Sequence, residues 1–162
     1  MPTQDEVVQL PRTLDDWLTL LESRHPLGAD GIELGLDRVA AIKLKLDQRE
    51  TCPVILVAGT NGKGSCCAML ESILINAGYR VGLYSSPHLV NYNERIRVNA
   101  SAVADDDLCA AFAKVETARG EVFLSYFEAG TLAAWEVFAT QALDVIVLEV
   151  GLGGRLDATN IY

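Results

Sequence analysis

Short β-branched runs alternate along this chain with longer stretches in which apolar residues recur every three or four positions. Val54–Ala58, Arg80–Tyr84 and Asp144–Val150 are the runs, each of strand length. Between the first two, Cys67, Leu70, Ile73, Leu74 and Ala77 mark one face of a helix that Gly78 stops. Asp105–Arg119 and Tyr126–Gln141 are helical by period, and Arg95–Val98 reads as a short extended piece. Ahead of the first strand the period predicts two more helices. Thr13 caps one, with Trp17, Leu18 and Leu21 on its apolar side and Asp15 and Asp16 in its first turn, where carboxylates face the positive helix end. Leu36, Val39, Ala40, Lys43 and Leu44 mark the other, after a loop at His25-Pro26-Leu27-Gly28.

This alternation predicts an α/β domain with a parallel sheet. Residues 51–162 are expected to form this domain, and residues 1–50 a helical segment packed on it. Parallel sheets are covered on both faces and normally have more than three strands, so the domain is expected to be incomplete at Tyr162. On that reading Val145–Leu148, with no helix after it, turns one face to water.

Composition narrows the class of partner. With 22 acidic and 13 basic side chains the formal net charge is −9, which excludes the basic footprint of a general nucleic-acid or anionic-membrane binder. Small anions remain open, because a few backbone amides and one lysine can hold them within an acidic protein. Met1–Leu10 carries Asp5 and Glu6 and no apolar run, and Val145–Leu148 is too short to span a bilayer. Cys52, Cys66, Cys67 and Cys109 show no metal or redox spacing. The expectation is a cytoplasmic monomer with reduced thiols.

The chemistry concentrates between the first strand and its helix. Gly59-Thr60-Asn61-Gly62-Lys63-Gly64-Ser65 places glycines where amides must converge on one point, and the helix start adds positive potential there. Lys63 offers a mobile charge for phosphates, and a nearby hydroxyl can meet a phosphate oxygen or Mg²⁺. The loop departs from the common phosphate-loop pattern, with Val57 at the first glycine position and Gly64 inserted before Ser65. In an open α/β sheet, ligands lie beyond the carboxyl ends of the strands. Glu149 closes an apolar strand at such an end, the position from which a carboxylate holds Mg²⁺ across phosphates; a sheet-edge pair with Arg155 is the plain alternative.

Five motifs then fall in one order: GTNGKGS at Gly59–Ser65, GLYSSPHL at Gly82–Leu89, NERIRV at Asn93–Val98, SYFEAGT at Ser125–Thr131 and LEVGLGGRLDATN at Leu148–Asn160. Leu34–Val39 adds a sixth similarity. Together they resemble the dihydrofolate synthase/folylpolyglutamate synthase family, within the wider Mur-ligase group. The resemblance implies an ATP-dependent amide ligase that adds L-glutamate to dihydropteroate or tetrahydrofolate through an acyl phosphate. It implies that Lys63 and Glu149 are catalytic, and that Gly59, Thr60, Asn61, Gly62, Lys63, Gly64 and Ser65 hold ATP. By the same likeness Ser86 and Glu149 hold Mg²⁺, while Arg24, His25, Ser125, Tyr126, Phe127, Glu128, Leu156, Asp157 and Ala158 hold the pterin substrate. Family members run far longer, so a further metal-ligand histidine, a modified lysine, the adenine site and a glutamate-binding carboxy-terminal domain are expected outside these residues. These residues alone are expected not to complete the reaction. A wall-precursor Mur-type ligase shares the phosphate loop but not LGGRLDATN, and a non-catalytic nucleotide-binding module stays open beside it.

Overall fold

The computed structural model describes residues 10–24 and 35–162. His25 therefore lies outside the described residues. The described elements in chain order are α1 (Leu14–Ser23), α2 (Asp37–Lys45), β1 (Val54–Val57), α3 (Lys63–Asn76), β2 (Val81–Tyr84), β3 (Ile96–Val98), β4 (Ser101–Ala102), α4 (Asp105–Arg119), α5 (Tyr126–Ala139) and β5 (Val145–Glu149). Thr13 caps α1 as its sequence predicts, accepting from the Asp16 amide at 3.2 Å.

The strands form one sheet in the order β1-β5-β2-β3-β4. β5 runs parallel to both β1 and β2, whereas β3 and β4 continue the sheet antiparallel. The architecture is thus α/β with a mostly parallel sheet; the extended piece expected at Arg95–Val98 is β3, while its antiparallel pairing and the following β4 are the part that the sequence pattern did not predict. They come from a short meander, Tyr92–Ala102, in which Asn99 and Ala100 take positive φ at the turn.

One strand overturns an expectation. Val145–Leu148 does not turn a face to water: β5 is an interior strand, between β1 and β2, and each of these side chains is buried. Val145 and Val147 pack with Cys67, Val81 and Leu83 beneath α3. Ile146 and Leu148 join Tyr84, Phe138 and the core formed by α4 and α5. Two-fold alternation feeds both cores, each buried aliphatic side chain contributing about 1.5–3 kcal/mol. Helix α5, which precedes β5 in the chain, supplies the cover that the reading sought after it. Gly82 allows its approach, because a Cβ there would lie 2.7 Å from Leu143 Cδ1 and 3.1 Å from the Phe138 ring.

Two helix faces also differ from their predicted stripes. On α3, Cys67, Leu70, Glu71 and Leu74 point inward and Ile73 is exposed. The buried carboxylate is matched by Arg97 of β3 in an ion pair at 2.5 Å. On α2, Val39 and Ile42 are buried and Leu44 is exposed. Helices α1 and α2 lie on α4 and α5, and their Leu14, Trp17, Leu21, Val39 and Ile42 belong to the same core. No described helix is long and apolar enough to cross a membrane.

Candidate functional site at the carboxyl edge of the sheet

The loop after β1 leads directly into α3. Gly62 occupies the N-cap with φ +76°, a left-handed conformation open to glycine without a Cβ clash, and Lys63 begins the helix. Residues 58–62 are exposed, and the first amides of a helix have no acceptor within it. Lys63 Nζ donates to the Gly59 carbonyl at 3.0 Å and so lies over the loop it belongs to.

Glu149 reaches this loop through register. It lies opposite Val57 at the end of β1, and alternation along β5 places it on the α3 side with Val145 and Val147. Both of its carboxylate oxygens lie 3.8 Å from the point a Gly64 Cβ would occupy. Glu149 is 4% exposed, and its Oε2 accepts from the Ser86 amide at 3.1 Å. Ser86 follows the end of β2, whose Tyr84 lies opposite Leu148. Three chain segments far apart in sequence, at Gly64, Ser86 and Glu149, therefore meet at one edge of the sheet.

This donor set fits Mg²⁺. The cation takes hard oxygen ligands and binds through one or two protein groups with phosphates and waters, which is the supply that one carboxylate and one hydroxyl beside an open helix start provide. Among the described residues no cluster of three or more His, Cys, Asp or Glu side chains has the arrangement of an all-protein metal cage. Cys67, beneath the loop, is kept an inert thiol: burial above all, and then the Glu149 charge, push its pKa up to about 12.

The candidate substrate residues are arranged differently. Ser125 and Glu128 form a capping box at the start of α5: Ser125 Oγ accepts from the Glu128 amide at 3.3 Å, and Glu128 Oε2 accepts from the Ser125 amide at 2.8 Å. Arg38 donates to both Glu128 oxygens at 2.8 and 2.9 Å. Asp157, 3% exposed, accepts from the amides of Gly151, Leu152 and Thr159 and from the Thr159 hydroxyl, at 2.6–3.0 Å. Tyr126 is buried in the core with its ring edge-on to Tyr92, and Ala158 is buried also. Phe127 closes on the loop after Glu149, where a Gly151 Cβ would lie 2.8 Å from its ring. Leu156 is 45% exposed. Arg24 lies apart, paired with Glu116 at 2.6 Å. Burial alone would raise the Glu116 pKa, but hydrogen bonds from Arg119 and Arg24 outweigh it and hold the carboxyl below its ordinary range.

The structure adds residues that motif reading passed over. Glu94 accepts from the amides of Leu89, Val90 and Asn91 at 2.8–3.0 Å, closing the loop after Ser86. Arg95 Nε donates to His88 Nδ1 at 2.8 Å. Both belong to NERIRV; Glu94 completes a local capping box with Asn91, a signal the sequence carried, whereas no local rule indicates that Arg95 binds His88.

Comparison with known proteins gives a consistent picture. No protein-family model matches the chain. It is 52% identical over 154 residues, 94% of its length, to the dihydrofolate synthase/folylpolyglutamate synthase of Escherichia coli strain K12. The solved structure of E. coli FolC in complex with DHPP and ADP superposes with a TM-score of 0.88, at 52% identity and over 94% of this chain. A bifunctional folylpolyglutamate synthase/dihydrofolate synthase from Yersinia pestis, complexed with AMPPNP and Mn ion, superposes at 0.87 with 48% identity over 94% of this chain. The chain spans 36% of the length of the first two and 38% of the third.

Proposed function

We propose, from the premise that the chain belongs to the dihydrofolate synthase/folylpolyglutamate synthase family, that it carries the phosphate and metal half of an ATP-dependent ligase site. The observation that carries this reading is the meeting of Glu149, Ser86 and the start of α3 at one sheet edge. The substrates are dihydropteroate or tetrahydrofolate, L-glutamate and ATP, and the setting is cytoplasmic and monomeric, with no nucleic-acid partner. The wall-precursor alternative is the weaker reading, since the relatives are folate enzymes across 94% of the chain.

A carboxylate is a poor electrophile because its leaving group would be oxide. Transfer of the γ-phosphoryl group of ATP to it creates an acyl phosphate, which the glutamate amine attacks with loss of phosphate. Backbone amides from Gly59 to Ser65 hold the phosphates, and Lys63 leaves the Gly59 carbonyl to meet the charge developing on the transferred group. Glu149 and the Ser86 hydroxyl would hold Mg²⁺, which would neutralise phosphate charge when bound. Phe127, Leu156 and Ala158 give the pterin an apolar wall, while Ser125, Glu128 and Asp157 shape that wall through their own hydrogen bonds. The test is ATP-dependent transfer of labelled glutamate to dihydropteroate and to tetrahydrofolate by the full-length gene product. Transfer to either supports the reading; turnover only with a wall-precursor acceptor, or none, overturns it.

A further inference from the structure

Arg95 stands out among the half-buried arginines of the described residues by what surrounds it. Arg24, Arg38, Arg97 and Arg119 each pair with a carboxylate. Among the described residues none lies at ion-pair distance from Arg95. Its guanidinium carbon instead sits 5.3 Å from the Tyr92 ring centre and 5.6 Å from that of Tyr126, and its Nε–H is directed to His88 Nδ1. A half-buried cation without a counter-charge is costly unless its geometry is used, and aromatic faces with one directed hydrogen bond return part of that cost.

Its position explains the use. The Arg95 carbonyl accepts from the Ser85 amide at 2.9 Å, one step beyond the last β2–β3 pair, Tyr84 with Ile96. Its side chain holds His88, so Arg95 grips the chain on both sides of Ser86 and Pro87: main chain before them, guanidinium after them. Between those grips the Ser86 amide turns to Glu149. On its other side Arg95 lies on Tyr126, within the Ser125–Glu128 segment. One residue thus touches both the loop that presents Ser86 and the start of α5.

Resting on the ligase reading above, we infer that Arg95 is a positioning residue: through His88 and Ser85 it holds Ser86 in register with Glu149, and through Tyr126 it links that register to the pterin segment. It acts on the metal site without touching metal or nucleotide. The hydrogen bond needs an acceptor at residue 88, not an imidazole as such, and it needs the Nε–H of arginine, not merely a positive charge.

The experiment uses the full-length gene product and reads amide hydrogen exchange at Ser85 and Ser86 without ligands, Mn²⁺ affinity, and ligase turnover. Arg95→Met keeps an apolar stem against the rings and removes the donor. It is expected to speed exchange at Ser85 and Ser86 and to weaken Mn²⁺ binding by about 10–100-fold, the range seen when groups behind a metal ligand are removed. Exchange at Ile146–Leu148, in the interior of the sheet, should stay within about twofold of the parent. His88→Gln, whose amide carbonyl still accepts, should keep the Ser86 protection, whereas His88→Leu and Arg95→Lys should lose it. Unchanged Ser86 exchange and Mn²⁺ affinity in Arg95→Met overturn the proposal. So does an equal loss of protection throughout β5, which would make Arg95 a residue of the fold at large. A parent protein that binds Mn²⁺ and makes no folylglutamate overturns the ligase reading, and this inference with it; normal turnover in a parent whose variants behave alike overturns the Arg95 role alone.

Discussion

Two regions of the candidate site treat their polar groups in opposite ways. The Gly59–Ser65 loop is exposed, starts a helix whose first amides have no internal acceptor, and carries a lysine that donates to a carbonyl of its own loop. The segments at Ser125–Glu128 and Gly151–Asn160 are closed on themselves: a capping box, a carboxylate filled by three amides and a hydroxyl, and an arginine shared across α2 and α5. An open loop keeps its donors for a ligand; a closed one provides shape. Replacements in the first should reduce chemistry and leave stability intact, and replacements in the second should do the reverse.

The largest expected effect is at Lys63. Lys63→Ala should lower ligase turnover of the full-length protein by roughly two to three orders of magnitude while thermal unfolding stays within a degree or two. Turnover at the parent rate would remove Lys63 from the phosphate site, and a large fall in Tm would erase the contrast between the loops. On the closed side, Asp157→Ala strips four hydrogen bonds from buried or half-buried donors and should destabilise the protein by about 3 kcal/mol in a denaturant titration. A stable variant that loses only pterin affinity would show that Asp157 faces the substrate instead.

Glu149→Gln sharpens the boundary, because Glu149 is buried like the closed loops yet borders the open one. It should raise the magnesium requirement about 10–100-fold with little change in pterin affinity, followed by titrating magnesium in the turnover assay. Glu116 provides a pH test. Its folded pKa lies below the unfolded value, so its pairs with Arg24 and Arg119 stabilise the fold above the ordinary carboxylate range and cease to do so as pH falls through the folded value. Glu116→Gln should cost about 1–2 kcal/mol at pH 7, a difference that closes in acid. The smallest effect belongs to Ser125→Ala, a lost helix cap of about 1 kcal/mol by chemical denaturation, with ATP binding unaltered.

The contrast between the loops was only half legible beforehand. The open loop follows local rules: glycines, a lysine and a strand-to-helix junction lie within seven residues at Gly59–Ser65. Candidate pterin residues were placed by resemblance, and their hydrogen bonds could not be read, since Arg38 meets Glu128 across 90 positions of sequence. The partner of His88 was not legible either, being fixed by how the β2–β3 meander folds. The inward turn of Glu71 on α3 likewise depends on Arg97, a residue of another element.

By itself the amino-acid sequence determined the main helices and strands, the cap of α1, the strand–loop–helix at Gly59–Ser65 and the family to which these residues point. Each of those depends on residues within a few positions of one another or on a linear motif. Only the tertiary structure decided that β5 lies between β1 and β2, because strand order is set by which faces α3 and α5 can cover together. That interior placement buries Val145–Leu148 on both sides and carries Glu149 to Gly64 and Ser86, a junction that exists only once three distant segments are in register.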